Sequence, residues 1–160
     1  MRAKHTIALL LLALAPAALS AQTAVSLQAG AMSGEYAGAF EVGVRVSPAR
    51  PNSVGLGFSF DVIPQTLSVG ALVGLTDLSV AGNIGLARNV RLELRAGGSA
   101  LVGIGGGGVG ALGGYHVGGG VVVEGIGPVG LRVDYTHRWL QVMGESLPAP
   151  SFTLGLVLHH

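Results

Sequence analysis

The stretch VGLRVDYTHRW, residues 129–139, puts Val129, Leu131, Val133, Tyr135 and Trp139 on one parity and Arg132, Asp134, Thr136 and Arg138 on the other. A period of two belongs to an extended strand whose faces meet different surroundings, and no 3.6-residue period reproduces it. The pattern recurs in YAGAFEVGVRVS (36–47), VGLGFSFDV (54–62) and VRLELRA (90–96), with weaker copies near 24–33, 75–86, 113–124 and 151–159. The chain therefore reads as eight strands of about ten residues, the length a tilted strand needs to cross a bilayer.

Composition narrows the class. Of 160 residues only 11% are charged, 49% are hydrophobic and none is cysteine. That excludes a disulfide framework, a thiolate metal site and a cysteine nucleophile. Residues 1–21 read as a cleaved signal peptide: Arg2 and Lys4 precede an Ala/Leu run, and Pro16 leads into Ala17-Ala18-Leu19-Ser20-Ala21. The remaining 22–160 then hold seven arginines, no lysine and eight acids, a formal charge of −1. The basic balance of the full chain lies in its export signal, and no nucleic-acid partner is expected.

The connections predicted between the strands alternate in length. Segments 48–52, 87–89 and 125–128 are short, whereas 64–74, 103–112 and 141–150 are long, with a tight turn at 34–35. GIGGGGVGALGG (103–114) contains a G-x-G-x-x-G match, but eleven of the eighteen residues from Gly103 to Gly120 are glycine, so the match is nearly uninformative. A dinucleotide site needs a helix directly after the glycines, where each glycine costs roughly 1 kcal/mol against alanine. A loop followed by a glycine-softened strand is the expected reading.

Sidedness decides which face points inward. Glu41, Arg45, Asp61, Asp77, Arg91, Glu93, Arg95, Glu124, Arg132, Asp134 and Arg138 share the face opposite the aromatic residues. A chain this poor in charge cannot cover a water-facing exterior, so the apolar face is expected outside and these eleven residues inside as a structural charge network. Tyr36, Tyr115, Trp139 and Phe152 lie beside the long connections, where an interfacial aromatic girdle belongs. Symmetric hairpin counting sets Glu41 by Ser59, Arg45 by Gly55, Asp61 by Ala39, Arg95 by Ala81, Asp134 by Gly120 and His116 by Arg138.

These features resemble the small eight-stranded outer-membrane β-barrels typified by the OmpA transmembrane domain and OmpX. The resemblance covers 22–160 and implies an all-β, antiparallel, up-and-down transmembrane barrel with both termini periplasmic. It implies outer-membrane lipid and the outer-membrane assembly machinery as partners; no surface partner can be named. Thr153, Gly155, Leu158 and His160 fit the family's C-terminal assembly signal, with His160 in place of the aromatic. A lipid A deacylase of this type would carry His-x-Ser facing outward, and His137-Arg138-Trp139 lacks the serine. No cofactor, metal site or catalytic residue is expected; His159 and His160 alone make a weak metal site. A structural or surface-interaction role in the envelope follows, with a narrow channel or a lipid-modifying enzyme as the alternatives.

Overall fold

The computed structural model describes residues 23–125 and 129–158. The expected signal peptide and His160 lie outside the described residues. Eight antiparallel strands form a closed barrel in sequence order, β8 pairing back onto β1. They are β1 (Thr23–Met32), β2 (Phe40–Pro48), β3 (Val54–Ile63), β4 (Leu72–Ala87), β5 (Val90–Gly105), β6 (Gly108–Glu124), β7 (Val129–Val142) and β8 (Glu145–Leu158). Among the described residues no helix is long and apolar enough to cross a membrane, which says nothing about strands.

Burial follows the alternation. On β7 the even residues Gly130 to Leu140 are buried, while odd ones such as Leu131, Val133 and Tyr135 are exposed. Outward positions along the strands carry no Asp, Glu, Lys or Arg. The inside is not polar throughout, however. Met32, Ile63, Leu75, Leu140 and Ala149 form an apolar cluster at one end, with Tyr36, Ala39, Val73 and Leu101 packed on it. Ala24, Val122 and Val157 form a second, against Ala49, at the end holding the first and last strand residues. The two ends are called distal and proximal below.

Four predicted connections are corrected. Residues 103–112 and 141–150 are mostly paired strand, and only Gly106-Gly107 and Met143-Gly144 turn. Ladder pairing satisfies the backbone groups that a free loop would leave to water, and it outweighs the glycine content. Met143 and Gly144 both have positive φ (51° and 91°), the conformation of a two-residue hairpin whose twist matches its strands. In 64–74, Pro64–Val69 form a 3-10 helix ended by left-handed Gly70, and β4 starts at Leu72. The tight turn expected at 34–35 is a wider connection containing a 3-10 turn, Gly34–Tyr36.

The register agrees with hairpin counting at Arg95↔Ala81, Asp134↔Gly120 and His116↔Arg138. It differs between β2 and β3, where Arg45 faces Ser59 and Asp61 faces Gly43. The proline-bounded connection there is not symmetric, so β3 is displaced by four residues from the counted position. Large still faces small: a Cβ on Gly120 would run into the Asp134 carboxylate and the Val133 carbonyl, whereas one on Gly110 would meet nothing within 4 Å. Gly120→Ala is accordingly expected to cost about 1–3 kcal/mol by overpacking, and Gly110→Ala less than about 0.5 kcal/mol. Urea unfolding in lipid vesicles measures both, and equal midpoints for the two variants would contradict the packing account.

Candidate functional site

Between the apolar clusters the lumen holds two tiers of charge. In the distal tier Arg138 on β7 reaches Asp77 on β4, its Nη2 donating to Oδ2 at 2.8 Å and its Nε to both carboxylate oxygens at 3.1 and 3.2 Å. Glu41 on β2 and Asp61 on β3 stand 3.6 and 3.7 Å from the same guanidinium, and Ser151 on β8 accepts from Nη1 at 2.8 Å. Four strands are thereby braced to a fifth through one side chain.

In the proximal tier the signs reverse. Asp134 pairs with Arg95 at 2.7 Å, with Arg45 at 3.2 Å and with Arg132 on its own strand. Arg132 also pairs with Glu93 and donates to Ser47 at 3.0 Å, and Arg95 donates to Thr136 at 2.6 Å. Nearest the proximal end Arg91 pairs with half-exposed Glu124 and donates to the Ala49 carbonyl at 2.9 Å. The distal tier has three acids around one arginine, the proximal tier three arginines around two acids, so their excess charges are opposite and stacked. A cavity of about 10 Å³, lined by Arg45, Ser59, Asp77 and Glu93 among others, lies between them. That is room for about one water.

The eleven charged residues singled out in the sequence thus share the inside of the barrel. Sequence reading missed their neutral partners. Gln28 donates to Asp61 at 2.6 Å, Ser59 and Ser99 donate to Asp77, and Asn83 donates to the Pro48 carbonyl at 2.6 Å. Each sits at an inward parity, which is the signal that could have found them. Ser99, His116 and Asp77 adjoin one another, but Ser99 gives its proton to Asp77 and presents its oxygen to His116 Nδ1 at 3.0 Å. A nucleophilic triad instead needs the histidine to accept from the serine and the acid to hold the other ring nitrogen. Among the described residues no cluster of His, Cys, Asp and Glu could hold a metal.

No protein-family model and no curated protein matches the sequence. Solved structures do. The N-terminal barrel of OprF from Pseudomonas aeruginosa aligns with 84% of this chain and 97% of its own at 14% identity, TM-score 0.57. Neisserial surface protein A aligns with 88% and 98% at 16% identity, TM-score 0.60. Ail, the attachment invasion locus protein of Yersinia pestis, aligns with 85% and 95% at 12% identity, TM-score 0.54. This chain has the fold of the small outer-membrane β-barrels.

On the outer face of this small barrel the aromatic residues of β6, β7 and β8 adjoin one another. Tyr115 stacks on Trp139 with centroids 5.1 Å apart, His137 stacks on Trp139 at 4.2 Å, and the Tyr135 hydroxyl lies 3.2 Å from His137 Nδ1. Tyr135 is opposite Phe152, Phe152 opposite Ala31, and Ala31 opposite Phe40. Tyr36 does not join them: it precedes β2 and packs against the distal apolar cluster, because the 3-10 turn carries it off the strand parity. Removing one partner of a buried ion pair leaves the other uncompensated. Arg132→Ala should therefore destabilise the barrel by about 3–5 kcal/mol, read from the urea midpoint in vesicles; a loss under about 1 kcal/mol would mean that Asp134 and Glu93 do not depend on it.

Proposed function

We propose that this chain is an integral outer-membrane β-barrel with a closed lumen, serving the cell envelope as a structural and surface-interaction protein. The observation that carries the closed lumen is the sealed core: two tiers of ion pairs capped at each end by apolar side chains. A conducting pore needs a continuous wet path, and eight strands leave an interior that side chains can fill. The membrane reading rests on an exterior that is free of charge along its strands and banded with aromatic residues. In water such a surface would be an aggregation hazard; in lipid it is what the medium requires.

The surface half of the proposal draws on the distal hairpins. The Gly106-Gly107 turn joins the bonded pair Gly105↔Gly108, so Val109 and Ala111 turn their N–H and C=O groups away from β5. The β6–β7 ladder begins only at Gly114↔Leu140, and these groups face no neighbouring strand. An unpaired edge favours pairing with another extended chain. The proteins of the same fold named for surface exposure and attachment support this role by analogy. A lipid-modifying enzyme is disfavoured, because Ser99 and His116 are sealed in the lumen and outward-facing His137 has aromatic neighbours in place of a serine.

Two measurements test this. Wild-type protein in planar bilayers should show no stable porin-like conductance; sustained large openings would overturn the closed lumen. The chain has no cysteine, so single cysteines report topology. In intact cells a membrane-impermeant maleimide should label Met143→Cys, at the fully exposed distal tip, and should reach Arg88→Cys in the β4–β5 turn only after lysis. The reverse pattern would invert the proposed orientation.

A further inference from the structure

A second feature lies at the proximal end, outside the lumen. The β2–β3 ladder stops at Val46↔Phe58, although β3 begins at Val54 and pairs with β4 from Val54↔Gly82 onward. The Ser53 carbonyl accepts from Asn83 N–H at 2.8 Å, which fixes the parity: Gly55 and Gly57 turn their backbone groups to β4, and Val54 and Leu56 turn theirs toward β2. Across from them stands Pro48, which has no N–H to continue the ladder. Beside it lies a notch of about 170 Å³ lined by Thr23, Pro48, Arg50, Ser53, Val54 and Leu56, among others.

The turn beside the notch is held firmly. The Pro48 carbonyl accepts from Asn83 Nδ2 at 2.6 Å, that of Ala49 from Arg91 at 2.9 Å, and that of Arg50 from Ser53 Oγ at 2.6 Å. Asn52, at φ 54°, accepts from Gly85 N–H at 3.1 Å. Prolines flank Arg50 at 48 and 51. Three successive carbonyls are thus engaged, and the exposed Arg50 guanidinium has no ion-pair partner among the described residues. Just above the notch the outward-facing side chains of Val54 and Leu56 are 76% and 72% exposed.

An exposed cation on a braced turn, the Val54 backbone donor and adjoining bare aliphatic surface match a molecule with an anionic oxygen head and hydrocarbon tails. We propose that this notch binds the headgroup of an anionic phospholipid, the phosphate on Arg50 and the Val54 N–H, the acyl chains along the Val54 and Leu56 side chains. The proposal rests on the membrane-spanning reading above. A protein–protein contact fits less well, because the bare aliphatic surface continues directly into the charge-free exterior of the barrel wall.

The test uses the full chain refolded in zwitterionic detergent, with dioleoylphosphatidylglycerol added and the intact complex weighed by native mass spectrometry. Wild-type protein should retain one lipid, and Arg50→Ala should retain about tenfold less, the loss of one charge-assisted contact. Arg88→Ala, on the neighbouring proximal turn, should match wild type. Val54→Pro deletes an N–H that no strand uses and should weaken retention in the same direction. Equal retention by wild type and Arg50→Ala overturns the site, and full displacement of the lipid by excess inorganic phosphate overturns the lipid in favour of a free anion. Heat-modifiable migration in SDS gels is measured first on every variant: a wild type lacking it would overturn the membrane-barrel reading itself, whereas a folded barrel without selective retention overturns only this proposal.

Discussion

Asp134 receives Arg95 from β5, Arg45 from β2 and Arg132 from its own strand, and most of the interior is arranged around satisfying that convergence. In a lumen eight strands wide an arginine reaches across to the facing wall, so its path must be left empty by the residue beneath it. Gly118 lies under the Arg95 guanidinium and Gly120 under the Asp134 carboxylate; a Cβ at 120 would collide with that carboxylate, and one at 118 would crowd Arg95 at 3.1 Å and meet the Tyr135 carbonyl at 2.8 Å. The glycines of β6 are therefore the counterpart of the arginines, and the strand that looked least structured in the sequence is the one that gives the charges room. Glu93 completes the tier by sharing Arg132, and the surplus positive charge faces the surplus negative charge of the Arg138 tier.

The ends of the lumen follow from the same requirement. Ion pairs gain most when water is excluded and cost most when one partner is missing. Leu75 and Leu140 at the distal end, and Val122 and Val157 at the proximal end, take inward positions that a water-filled pore would give to polar side chains. They keep solvent from competing for Asp77 and Asp134. The wall itself is uneven: β4 to β8 run 14 to 17 residues and β1 to β3 only 9 or 10. The short side is closed over by the connection through Tyr36 and by the Pro64–Val69 helix.

Strand number, sidedness and the inward set of charges were legible because period-two alternation fixes parity without any knowledge of pairing. Register was legible only where the turn is short and symmetric. Arg95↔Ala81 and Asp134↔Gly120 could be counted, whereas Pro48 and Pro51 draw out the β2–β3 turn and move Asp61 from Ala39 to Gly43. The distal hairpins look like loops in the sequence because glycine and proline weaken strand signals locally, while ladder hydrogen bonds belong to the pair and are invisible in either strand alone. The apolar seals were missed for a related reason: Leu75 and Leu140 sit at inward parity, but nothing in the sequence marks how far along the lumen the polar zone extends.

Proline placement connects the two open stretches of backbone. The Met143-Gly144 turn joins the bonded pair Val142↔Glu145, so on β8 it is the even residues that turn away from β7, and two of these are Pro148 and Pro150. Above Met32, where β1 no longer covers β8, this edge has few donors to offer, and the Pro150 carbonyl is taken by Ser33 N–H at 2.8 Å. Pro48 ends the β2–β3 ladder by the same deficiency, which leaves the Leu56 carbonyl without its donor, and the Val54 N–H turns toward the same gap beside Arg50. On β6 no proline intervenes, and Val109 and Ala111 keep both donor and acceptor. One edge is thus blunted, one is left with a single donor beside a cation, and one remains able to pair in full, which suits them to different chemistries: exclusion of strands, an anion, and an extended chain.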